Sequence, residues 1–125
     1  MRALSIAGTL LIVGCFSIST AEAACSGTNG RGWGSGGGAG SFTMTAADKV
    51  CNISFPGFMS GNKRTPATNV KITKQPKSGK LKVVAGKGMV YTPAAGFKGK
   101  DTFCTRNTAP GVSGTLSGCV TVTVR

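Results

Sequence analysis

The sequence predicts an all-β domain of about seven short strands packed as a β-sandwich, and three observations carry that prediction. Apolar residues alternate with Lys or Thr in several runs, the period-two pattern of half-buried strands. Clusters of Gly, Pro, Asn and Ser separate those runs at regular spacing. No window carries the 3.6-residue apolar period of a helix.

Residues 1–23 stand apart from that pattern. Arg2 precedes a long apolar run that closes on Ala21-Glu22-Ala23, the layout of a secretory signal peptide. The apolar stretch is shorter than the roughly 20 residues of a membrane span, and Gly, Ser and Thr dilute it. Cleavage after Ala23 and export are therefore expected, with a secreted or periplasmic product and no membrane span. Ile12-Val13-Gly14-Cys15 offers a lesser alternative, a lipobox that would anchor the chain by a lipid on Cys15. Phe16, the apolar residues beyond it and the well-formed site at Ala21–Ala23 favour simple cleavage.

Residues 24–41 read as a Gly-rich flexible segment. Eight glycines fall between Ser26 and Ser41, and no hydrophobic period survives there. Trp33 within it is either a binding anchor or a side chain folded back on the domain.

The β-domain is expected over residues 42–125. Clear alternation marks strands at Phe42–Thr45, Val70–Thr73, Leu81–Val83 and Val120–Val124, and shorter ones at Val50–Ser54, Met89–Thr92 and Thr102–Arg106. Gln75-Pro76-Lys77-Ser78-Gly79 separates two alternating runs and reads as a hairpin turn. Phe55–Pro66 reads as a long loop with two exposed aromatics.

Loss of the leader would leave about 100 residues, one domain's worth. Cys25, Cys51, Cys104 and Cys119 would remain, an even number that in an exported chain implies two disulfides. Metal binding is the weaker reading, since no two cysteines are closely spaced and histidine is absent. The leader carries one base, Arg2, and one acid, Glu22, so the net charge stays at +12 after its removal. Such a surface attracts anionic lipids and polysaccharides, and it also keeps an exported protein soluble.

Catalytic chemistry finds little to work with. Without histidine there is no Ser-His-Asp triad, and Asp48 and Asp101 are the only carboxylates beyond the leader. Four bridged cysteines would leave no thiol nucleophile. Ser60-Gly61-Asn62-Lys63 has the S-x-x-K spacing of serine acyl-enzymes but lacks their helix and companion motifs. Gly86-Lys87-Gly88 is too short for a phosphate loop, and Asn52-Ile53-Ser54 is a formal glycosylation sequon, without meaning in a bacterial host. No catalytic, cofactor or metal site is expected.

The basic residues carry the one positive indication. Lys71, Lys80 and Lys82 fall on the outward side of neighbouring strand candidates, with Lys74 and Lys77 at the turn between them. Together they suggest a polyanion-binding edge, although edge lysines also serve to block aggregation. Nucleic acid is disfavoured as the partner, because no outward aromatics accompany these lysines.

Gln75-Pro76-Lys77-Ser78-Gly79-Lys80-Leu81, Tyr91-Thr92-Pro93-Ala94-Ala95-Gly96-Phe97, Gly99-Lys100-Asp101-Thr102-Phe103 and the valine strand Val120–Val124 follow in order. This block resembles the bacterial immunoglobulin-like and cadherin-like repeat domains of secreted and surface proteins, over roughly residues 70–124. The resemblance implies an immunoglobulin-like β-sandwich with a binding or structural role at the cell envelope, as a monomer contacting an anionic envelope polymer or a surface protein. A soluble cationic effector, such as a hydrolase inhibitor or membrane-active factor, is the alternative. Many relatives bind calcium through acidic loops, but two scattered carboxylates cannot supply such a shell. The family's last two strands pair as a hairpin. With Phe103 and Val120 inward, that pairing would set Cys104 beside Cys119 and leave Cys25 to Cys51. The rival is an inter-sheet bridge, Cys51 to Cys104, with Cys25 to Cys119. Asp101 is expected to accept backbone N–H bonds in its turn.

Overall fold

The computed structural model describes residues 25–125; the signal-peptide and Cys15 readings lie outside the described residues. The described chain is all-β. Its strands are β1 (Ser26–Thr28), β2 (Gly38–Met44), β3 (Cys51–Ile53), β4 (Gly57–Ser60), β5 (Lys63–Pro66), β6 (Asn69–Lys74), β7 (Gly79–Val84), β8 (Gly88–Pro93), β9 (Gly99–Ala109) and β10 (Val112–Val124). They form a five-stranded sheet in the order β1-β2-β10-β9-β6, a three-stranded sheet β3-β8-β7 and a β4-β5 hairpin. All pairings are antiparallel except β2 with β10.

Alternation explains how the two larger sheets meet. Val120, Val122 and Val124 of β10 and Phe103 of β9 point inward, at most 2% exposed, as do Ile53, Met89 and Tyr91 of the smaller sheet. These side chains join Phe42, Met44 and Leu81 in one core cluster. Burying each such side chain contributes about 1.5–3 kcal/mol. The outward positions between them are mostly polar, with Thr121 and Thr123 on β10, Asn52 on β3 and Thr102 on β9.

The seven strands expected from alternation all form. Three further strands arise where none was expected, and three of the local readings change. The Gly-rich segment is built into the five-stranded sheet: it carries β1, a 3₁₀ turn at Trp33–Ser35 and the start of β2. Trp33 is buried, and its indole N–H donates to the Asn29 carbonyl at 2.6 Å. A methyl group at Gly38 would overlap the indole, and one at Gly118 would overlap the Gly38 backbone. The glycines are thus what lets Trp33 lie on the sheet and lets β2 run close beside β10.

The Phe55–Pro66 stretch is the β4-β5 hairpin, and its aromatics are not exposed. Phe55 is buried and Phe58 packs against the core, while Met59 is the large apolar side chain left in solvent, at 65%. Ser60 pairs directly with Lys63 across the two-residue turn Gly61-Asn62, with Gly61 at φ 62°. A turn that tight needs a residue tolerant of positive φ.

Gln75–Gly79 is not a hairpin turn. β6 pairs with β9 and β7 pairs with β8, so this stretch crosses from one sheet to the other. The same Pro and Gly chemistry serves either connection; hydrogen bonds to Asp101 direct it here.

Both disulfides are present. Cys104 and Cys119 are register partners on β9 and β10, with Cα atoms 3.9 Å apart, and Cys25 joins Cys51 with Cα atoms 5.0 Å apart. Cys51 faces the core and Cys104 faces out of the other sheet, so the rival bridge between them does not form. Among the described residues, no helix is long and apolar enough to cross a membrane.

Candidate polyanion-binding face

Among residues 25–125, the charge imbalance is sharpened by what holds the two acids. Asp101 is only 4% exposed. It accepts from the Lys77 and Ser78 amides at 2.9 Å each, from the Tyr91 hydroxyl at 2.7 Å and from the Thr102 amide at 3.1 Å. The carboxylate therefore closes its own turn, as expected, and also clasps the crossing between the sheets. Burial, and then the hydrogen bond and charge of Asp101, push the Tyr91 hydroxyl well above its ordinary pKa of 10.0. Asp48 is held by the amide and hydroxyl of Thr45, at 2.9 and 3.1 Å. Both carboxylates are thus committed to neutral donors.

The lysines singled out by sequence divide between two faces. Lys71 lies on β6 between Val70 and Ile72, which pack against the core, so it projects from the outer face of the five-stranded sheet. Lys80 and Lys82 flank buried Leu81 on β7 and project from the other sheet, in the opposite direction. They do not share one surface with Lys71. The hairpin reading of Gln75–Gly79 had joined them, and its loss separates them.

The structure brings a different set together along the seam between β6 and β9. Lys71 is directly opposite Arg106, and both side chains are exposed. Such partners have Cβ atoms about 4.5–5.5 Å apart, where like charges repel. The register then slips between Ile72 and Lys74, so that Lys74 is opposite outward-facing Cys104. With unbroken pairing Lys74 would sit opposite Phe103 and face the core. The irregularity re-aims it to the side of Lys71 and Arg106, a common use of a β-bulge.

Lys74 and Lys77 also border a recess of about 230 Å³ with Lys100, Ser78, Asp101 and Thr102. Lys100 occupies the outward phase of β9, opposite Thr123. Lys71, Arg106, Lys74, Lys77 and Lys100 therefore form a basic strip along one seam. The remainder of this face carries the Cys104–Cys119 disulfide and short hydroxylic side chains, with the Thr102 and Thr121 hydroxyls 3.0 Å apart.

Arg106 and Lys100 were missed from sequence although their signal was visible. Both share the phase opposite to Phe103, which marks them as outward on β9. What alternation could not show is that β9, and not β7, is the neighbour of β6.

Ser60 and Lys63 belong to an exposed hairpin turn. Asn52 is exposed on β3. Trp33, being buried, is the folded-back side chain of the two readings. No protein-family model and no curated protein matches the sequence.

Proposed function

We propose that this chain is a non-catalytic, exported immunoglobulin-like module that attaches to anionic polymers of the cell envelope through the outer face of its five-stranded sheet. The observation that carries the reading is the basic strip itself, in which a bulge and a like-charge pair collect cations while both carboxylates are bound to neutral donors. The strand order supports the fold assignment. Among the seven strands expected from sequence, the second, fifth and fourth form one sheet, and the third, sixth and seventh lie together in the other. That is the partition of an immunoglobulin-type sandwich. In this chain the first of the seven pairs in parallel with the last. Two disulfides accord with an oxidising, extracytoplasmic setting.

The test is co-sedimentation of the mature, disulfide-bonded protein with isolated cell envelopes at low and high salt. Two triple variants accompany it, K71Q/K74Q/R106Q on the strip and K80Q/K82Q/K87Q on the other sheet, each removing the same charge. The wild type is expected to sediment at low salt and to be released at high salt, since polyanion contacts weaken with ionic strength. The strip variant is expected to remain in the supernatant, and the other to behave as wild type. Equal losses in both variants would reduce the strip to a solubility device.

A protein partner is the second reading, favoured by one feature. Solvent-exposed Met59 and Arg64 of the β4-β5 hairpin border a cleft of about 580 Å³ that reaches Trp33 and Asn52. Crosslinking at position 59 in intact envelopes would capture that partner.

A further inference from the structure

The strip is not uniform, and its strongest feature is at one end. Lys71 and Arg106 face each other across the β6-β9 pair, and the next pair outward is Asn69 with Thr108. These four residues, together with Val70, border a concavity of about 370 Å³. Asn69 is exposed and Thr108 half-buried, so an amide and a hydroxyl are available as neutral donors beside the two cations. The charged neighbour on the same strand is Lys74, opposite Cys104, and β10 contributes Ser117 opposite Arg106. No carboxylate faces the pair: the two acids of residues 25–125 are bound to Thr45 and to the Lys77–Ser78 crossing.

Two cations held opposite each other without a counter-ion are a local cost, and a single ligand group with two negative charges removes it. A carboxylate or a phosphodiester brings one charge. A phosphomonoester brings about 1.5–2 at neutral pH, with three strong acceptor oxygens. Arg offers a planar fork for two of those oxygens and Lys a point charge for the third. We propose that Lys71, Arg106, Asn69 and Thr108 form a phosphomonoester-binding site. The proposal rests on the polyanion-binding reading and names the ligand chemistry at one end of the same face.

The proposal has a signature that general charge attraction lacks. The chain contains no histidine, the side chain that ordinarily changes charge between pH 5 and 8. A pH dependence centred near pH 6 that is seen with a monoester and absent with a diester comes from the ligand, whose second ionisation lies there. Affinity for a monoester is expected to be about tenfold weaker at pH 5 than at pH 7.5, as the dianion is lost.

The experiment follows amide resonances of the mature, disulfide-bonded protein during titration with glucose 1-phosphate, dimethyl phosphate and glucuronate at both pH values. Glucose 1-phosphate is expected to shift the amides of Asn69, Lys71, Arg106 and Thr108 saturably, with the stated pH dependence. K71Q and R106Q are expected to abolish the shifts, and K80Q/K82Q to leave them intact. The unliganded spectra of the same variants verify that they are folded. Equal affinity for glucuronate or dimethyl phosphate, pH-independent binding, or equal loss in K80Q/K82Q would overturn the proposal.

Vesicles containing phosphatidate distinguish the source. Capture through Lys71 and Arg106 assigns the monoester to a lipid headgroup, and sugar-phosphate binding without capture assigns it to a saccharide. Envelope sedimentation without monoester selectivity removes this inference and keeps the broader reading. Monoester binding without sedimentation does the reverse.

Discussion

Asp101 shows how one side chain can decide a connection. Its four donors come from two stretches of chain besides its own: the Lys77–Ser78 crossing and Tyr91 on β8. Hydrogen bonds to a charged acceptor are worth about 1.5–3 kcal/mol each, so the clasp outweighs the local turn preferences of Pro76 and Gly79. Its effect reaches Tyr91, the one tyrosine of the chain. Burial and the adjacent carboxylate raise the phenol's pKa in the folded protein, which favours the neutral form there. That contribution to stability is complete below pH 10.0, the unfolded value, and declines above it as unfolding lets the phenol ionise. Tyrosinate absorbance is therefore expected to appear together with loss of native Trp33 fluorescence on alkaline titration. Tyrosinate forming near pH 10 while the fluorescence stays native would contradict the clasp. In a Y91F variant the part of the alkaline loss due to the phenol should vanish, at a cost of about 1.5–3 kcal/mol at neutral pH for the missing hydrogen bond to the carboxylate.

At the scale of strands, β6 and β9 place charge against stability. The Lys71–Arg106 pair is unfavourable by the measure of cross-strand pairs, which contribute about 0.2–1 kcal/mol according to their chemistry. Replacing Lys71 by Gln is expected to raise unfolding free energy within that range in low salt, with the gain shrinking as salt screens the repulsion. Denaturant unfolding at two ionic strengths measures it. A variant less stable than wild type at low salt would mean that the pair is not repulsive in this setting. The β2-β10 pair illustrates a different dependence. Its parallel register sets Gly38 beside Gly118 and Gly40 beside Val120, and only glycine at position 38 accommodates the indole of Trp33.

For the whole molecule, a domain of this size has a modest core and depends on its staples. Cys25–Cys51 joins the start of the N-terminal strand to β3 in the opposite sheet, closing a separation of 26 residues. Loop entropy assigns such a bridge about 3–4 kcal/mol. A C25S/C51S variant is expected to lose stability of that order, and amide exchange should rise first in β1 and around Trp33. Uniform exchange across the five-stranded sheet would mean that the N-terminal segment is not a separable unit. Cys104–Cys119 joins neighbouring strands that are already paired in register, so its loss should be felt mainly within β9 and β10.

Much of this molecule was legible from local pattern. Alternation located seven strands and the facing of Phe103, Cys104, Cys119 and Val120, because a strand's side chains must alternate whatever its neighbours are. That facing, with the strand pairing the resemblance implies, favoured the observed disulfides over the inter-sheet rival, which stayed open until the structure. Composition marked the surplus of cations. Three things escaped: the ordered Gly-rich segment, the β4-β5 hairpin and the partner of β6. Each depends on contacts between residues distant in sequence, such as Trp33 on Gly38 and Asp101 on the Lys77–Ser78 crossing. Local periodicity and counting settled seven of the ten strands, which of their side chains face out, and how much charge the surface bears. Only the tertiary structure decided that Arg106 and Lys100 join Lys71, Lys74 and Lys77 while Lys80 and Lys82 turn away, because sheet neighbours are chosen by buried contacts that no local pattern encodes.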